Sequence, residues 1–138
     1  QSRKKIEEEV KKKIDDTIYA YYNLLLSTKE FSMKDRKTYK KIAAMRMIEK
    51  LSILFSDLTK TKLSKKEIVL YFNNLMQDKR IQEVKKILNN EKTELIYNEI
   101  QQMNKLTKKA CDLLLNDKLT QLYNFDKMIY NLMIKKNA

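Results

Sequence analysis

The sequence predicts an all-α protein: a single bundle of about five helices, mostly antiparallel and joined by short connections. Three observations predict it. The 138 residues include no Gly and no Pro, so the residues that make sharp turns and punctuate strands are missing. Apolar side chains recur at three- to four-residue steps along most of the chain, the period of a helix with one buried face. Only short polar breaks separate these runs, and short breaks set successive helices side by side and antiparallel. A chain of this length buries roughly 68% of its unfolded surface, enough for one core over residues 1–138 without staples. A long coiled coil is disfavoured by the breaks and the irregular spacing.

The first helix is expected from about Lys4 to Ser27, with Ile6, Val10, Ile14, Ile18, Tyr21 and Leu25 inward. The run "STKEFSMKDRK" (27–37) is rich in Ser, Thr and charge and reads as a loop. A second helix follows from about Lys37 to Lys60, with Tyr39, Ile42, Met45, Ile48, Leu51, Phe55 and Leu58 inward. "SKKE" (64–67) has the form of a capping box, in which Ser64 and Glu67 satisfy each other's amides. It opens a third helix through Ile68, Tyr71, Phe72 and Leu75, with a weak spot at "QDKR" (77–80) before Ile81, Val84 and Leu88. "NNEK" (89–92) is a break with Asn at a cap position. The fourth helix carries Leu95, Ile96, Ile100, Met103, Leu106, Ala110 and Leu114. Asp117 is the expected N-cap of the fifth, which contains "QLYNFDKMIYNLM" (121–133) and points Leu122, Phe125, Ile129 and Leu132 inward.

Composition excludes much chemistry. With no His, no Ser-His-Asp or Cys-His site exists, and with no Gly, no phosphate-cradling loop. Adjacent acids such as Asp15 and Asp16 point in different directions on a helix and read as surface charge. No catalytic activity, cofactor or metal is expected. Cys111 is the single cysteine, so no internal disulfide forms, and it reads as a small buried hydrophobe. No apolar run is long enough to span a membrane. The chain opens on "QSRKK" without Met or a signal-type apolar run and reads as a mature segment or an excised domain.

Thirty Lys and Arg against 18 acids give a formal charge of +12. Such an excess favours an anionic partner. The lysine pairs are spread over all the helices with acids between them, however, which reads as solvated faces rather than a nucleic-acid surface. On the last helix Lys127 points almost opposite the apolar stripe, flanked by Tyr123 and Tyr130. Tyrosine adds contact area at low entropic cost, so this patch is either an interface or packing against a neighbouring helix.

Four blocks in the same order along the chain carry a family resemblance: "EVKKKID" with Ile18, "YNLLLSTKEFSM" (22–33), "KLSKKEI" with Phe72 and Leu75, and "LYNFDKMI" with Leu132 and Met133. They resemble the C-terminal helical domain of the fibronectin-binding, complement-inhibiting surface lipoproteins of Borrelia spirochaetes. The resemblance touches nearly the whole chain, through blocks that are not rigid signatures. It implies a monomeric extracellular domain, lipid-anchored to the bacterial surface through an upstream segment. That domain binds the serine protease C1r and blocks the classical complement pathway; fibronectin binding belongs to the upstream segment. The implied functional residues are a basic residue after the first helix and a lysine four residues after the Tyr of the "LY" block. Arg36 matches the first one position early, which leaves Lys37 as the other candidate. Lys127 matches the second without a gap, and Tyr123 and Tyr130 are its geometric neighbours. The alternative function is a basic adhesion module for glycosaminoglycan or another polyanion.

Overall fold

The computed structural model describes residues 2–116 and 124–137. The protein is all-α. Seven helices are present among the described residues: α1 (Arg3–Leu26), α2 (Met33–Leu58), α3 (Lys65–Met76), α4 (Lys79–Ile87), α5 (Thr93–Gln101), α6 (Lys105–Leu114) and α7 (Phe125–Asn137). The expected count of five is therefore corrected to seven, because two of the expected helices are each broken in two. Asp78 ends the third early: its side chain accepts from the Arg80 N–H at 2.8 Å and caps a new helix. The fourth breaks at 102–104, where Asn104 takes an extended conformation before α6. The expected cap at Asp117 lies outside the described residues.

α2 is the axis of the bundle. It holds thirteen buried residues, among them Ile42, Met45, Met47, Ile48, Leu51 and Phe55. α1 lies antiparallel to it, so that Ile6 and Val10 near the start of α1 share a groove with Leu58 and Leu63. α3 runs with α1, tied by Arg3 to Glu67 at one end and lying against Ile14 and Ile18 at the other. α4 continues along α1 through Arg80–Asp15 at 2.8 Å and the Tyr22 hydroxyl on Glu83 at 2.6 Å. One apolar cluster draws on all seven helices. Each fully buried Leu, Ile or Phe in it contributes about 1.5–3 kcal/mol. Phe55 and Phe72 meet edge to face at 5.9 Å between centroids, the arrangement that an aromatic quadrupole favours.

The helix starts follow local chemistry. Ser64 and Glu67 form the full capping box. α2 starts at Met33 rather than Lys37, because the Ser32 hydroxyl accepts from the Asp35 N–H at 3.2 Å. The expected loop is thus shortened, and Arg36 and Lys37 lie on the first turns of a helix. α6 has no cap from its own side chains. Buried Asp35 of α2 supplies one, accepting from the Asn104 N–H at 3.2 Å and from the Thr107 hydroxyl. Leu95 and Leu106, expected inward, are exposed; Ile96, Ile100, Thr107 and Cys111 take the inward positions.

Without glycine, the turn after α4 uses Asn90 at φ 61°. Asn tolerates this left-handed conformation, whereas other L-residues lose roughly 1–2 kcal/mol there. Asn90→Val is expected to cost about that much in urea denaturation, and Asn90→Gly a few tenths at most. Equal stability of the two variants would contradict the turn geometry.

Candidate protein-binding surface

The residues singled out by sequence fall on two separate regions. Arg36 and Lys37 occupy the first turns of α2. Lys127 occupies the first turn of α7, where its backbone N–H donates to Asn124 Oδ1 at 2.8 Å. The start of α7 shares a groove with Ile48 of α2 and Leu88 and Asn89 after α4. Its far part, at Leu132 and Met133, lies against Lys65 and Ile68 of α3. Ile48 is more than three helical turns beyond Arg36, about 18 Å along α2 at about 1.5 Å per residue. The structure thus does not bring the two cations together.

The inward stripe of α7 is Phe125, Met128 and Leu132, not the expected Phe125, Ile129 and Leu132. The shift turns the helix slightly. Lys127 becomes half-buried on the flank of the stripe rather than opposite it. Ile129 emerges, and with Tyr130 at 63% exposure and Met133 at 45% it forms an exposed apolar strip that meets the Lys127 face at Tyr130. Residues three and four apart on a helix are neighbours, so Tyr130 shares the Lys127 face. Tyr123 lies outside the described residues. The sequence pattern does not reveal the strip, because Ile129 fits the inward stripe as well as Met128 does.

Arg36 is half-buried and already occupied. Its Nε donates to the Thr28 carbonyl at 3.1 Å, and one terminal nitrogen donates to the carbonyls of Lys29 at 3.0 Å and Phe31 at 3.3 Å. A planar guanidinium suits this fork of acceptors, and it holds the α1–α2 turn in shape. Lys37, one residue on, is exposed and makes no ion pair among the described residues. Met33 beside it is 72% exposed.

Cys111 is fully buried, with Sγ 3.4 Å from Met103 Sδ. Burial first, then the nearby Asp112 and Asp35 charges, push its thiol up to about 12 from an ordinary 9.0. The group therefore supports the fold below pH 9 and loses that support as pH climbs from about 9 towards about 12. At pH 8 its thiolate fraction falls about a thousandfold below that of an ordinary thiol. A chromogenic disulfide reagent is expected to label the native chain far more slowly than the urea-unfolded chain. Equal rates would place the thiol at the surface.

Among the described residues no helix is long and apolar enough to cross a membrane, and no three His, Cys, Asp or Glu side chains group to hold a metal. Comparison of the chain with family models, curated proteins and solved structures finds no match in any of the three.

Proposed function

We propose that this chain is a non-enzymatic binding module that inhibits the classical complement pathway by binding and occluding the active site of C1r. The reading places it outside a bacterial cell, tethered to the outer surface through an upstream segment. The observation that carries it is the gapless match of "LYNFDKMI" to the block that bears the functional lysine of the Borrelia lipoprotein domain. The setting of Lys127 supports it: a cation on a helix flank with exposed Tyr130 on the same face, and the exposed Met133 and Ile129 beyond Tyr130. Interface centres combine such an anchor with apolar and aromatic surroundings that exclude water.

Trypsin-like proteases accept Lys or Arg in an S1 pocket with an acidic floor. A cation presented from α7 enters that pocket while the helix withholds its backbone from the extended form that cleavage requires. One pocket takes one cation. Lys127 sits on α7, whose start lies beside Ile48, and Arg36 is about 18 Å from Ile48 along α2; the two regions therefore play different parts, with Lys127 filling the pocket and Lys37 contacting the enzyme surface to one side. The polyanion reading draws on the +12 charge, but the dispersion of lysines over all helices gives it no concentrated track.

The test is surface plasmon resonance with immobilised C1r, paired with a C1r cleavage assay on its protein substrate. Saturable binding that survives 0.3 M salt, with loss of cleavage, is the expected result. Binding that collapses steeply with salt and extends equally to heparin would replace this reading with the polyanion one.

A further inference from the structure

We infer that the cleft between α2 and α5 receives an acidic side chain of the protein partner together with an apolar neighbour. The inference rests on the reading that this chain binds a protein. Met33, Lys34, Lys37, Thr38, Lys41 and Glu99 line an open cleft of about 390 Å³. Lys34, Lys37 and Lys41 recur at helical spacing and set three ammonium groups on one face of α2.

Their charges are unequally committed. Lys41 is mostly buried and bound to Glu91 at 3.0 Å and to Glu99 at 3.2 Å. The Glu99 carboxylate also accepts from the Thr38 hydroxyl at 2.9 Å. Lys34 donates to a neutral acceptor, Gln102 Oε1, at 3.3 Å. Lys37 has no ion pair among the described residues. Neither Lys34 nor Lys37 is thus ion-paired among the described residues, while Glu99 in the wall is bound to Lys41 and Thr38.

The wall decides which anion fits. Met33 is 72% exposed and presents an apolar surface, and the lysine stems extend it. Glu99 puts a fixed negative charge inside the cleft. That charge repels the dense sulfates of a glycosaminoglycan, whereas a single carboxylate reaching Lys34 and Lys37 avoids it. An acidic residue next to an aliphatic one satisfies both the cations and the methionine.

The experiment is an NMR titration of the full 138-residue chain with the capped tripeptide Glu-Leu-Asp. The neutral tripeptide Gln-Leu-Asn and a heparin disaccharide serve as controls. Amide shifts are expected at Met33, Lys34, Lys37, Thr38, Lys41 and Glu99, with the acidic peptide bound at least about fivefold tighter than either control. Lys37→Gln is expected to weaken it about fivefold and Lys37→Glu to abolish it, with unchanged circular dichroism. Equal shifts with the neutral peptide, tighter disaccharide binding at the same amides, or shifts away from the cleft would overturn the proposal. If the peptide titrates the cleft but the wild type does not bind C1r, the choice of protease fails and the cleft stands. If C1r binds while the peptide leaves the cleft amides unmoved, the cleft alone fails.

Discussion

Lys127→Ala is expected to weaken C1r binding by about 30-fold or more, equivalent to roughly 2 kcal/mol, the scale of an interface hot spot. The apolar anchors of α7 are the buried Phe125, Met128 and Leu132, which the substitution leaves in place. The thermal midpoint should therefore move little. Lys127→Arg keeps a charge that the same pocket accepts and should retain most of the binding. Tyr130→Ala should cost less, because it borders the anchor rather than fills a pocket, and Met133→Ala less again, because it lies beyond Tyr130.

The two α2 residues should then separate by different readouts. Lys37→Ala is expected to weaken binding about tenfold with an unchanged thermal midpoint, since its exposed side chain makes no ion pair among the described residues. Arg36→Ala withdraws a charged donor from the Thr28, Lys29 and Phe31 carbonyls. It should cost about 1.5–3 kcal/mol of stability and weaken binding only as far as the turn relaxes. Arg36→Lys should fail to rescue it, because an ammonium lacks the fork. A large binding loss for Arg36→Ala at unchanged thermal midpoint would make Arg36 itself the contact.

The all-α class was legible from absence: no Gly and no Pro. Both ends of α1, the Ser64 capping box and the burial of Cys111 followed from local patterns. What was not legible depended on partners distant in sequence. The break before α6 is capped by Asp35, 69 residues away, and nothing in "QQMN" announces it. Arg36 reads as a free loop cation until the Thr28–Phe31 carbonyls fold back onto it. The choice between Met128 and Ile129 as the inward residue of α7 was open in principle, since both fit a helical step between Phe125 and Leu132. Packing chose Met128, and that choice created the exposed strip that meets the Lys127 face at Tyr130.

Arg46→Ala is expected to cost about 3–5 kcal/mol, a large share of the roughly 5–15 kcal/mol that holds a domain of this size. Arg46 lies in the middle of α2 at 6% exposure and donates through Nη1 to Glu49, whose side chain is 12% exposed. Truncating the cation leaves the largely covered Glu49 carboxylate without this counter-charge. The effect should appear as a fall in thermal midpoint on the order of 10–15 °C. Arg46→Met combined with Glu49→Leu removes both charges at similar volume and should restore stability close to the wild-type value or above it. The double-mutant cycle would then show strong coupling between the two positions. A single Arg46→Ala variant within about 1 kcal/mol of wild type would show that the pair is solvated and carries no such role. On the proposed reading, Arg46 also matters through its position. Arg46 lies between the first turns of α2, which carry Lys37, and Ile48, which shares a groove with the start of α7. Arg46→Ala should therefore reduce C1r binding without touching the enzyme, by loosening the spacing between Lys37 and Lys127. The charge-free double variant should keep that spacing and recover binding along with stability, an outcome that a direct contact from Arg46 to the protease cannot produce.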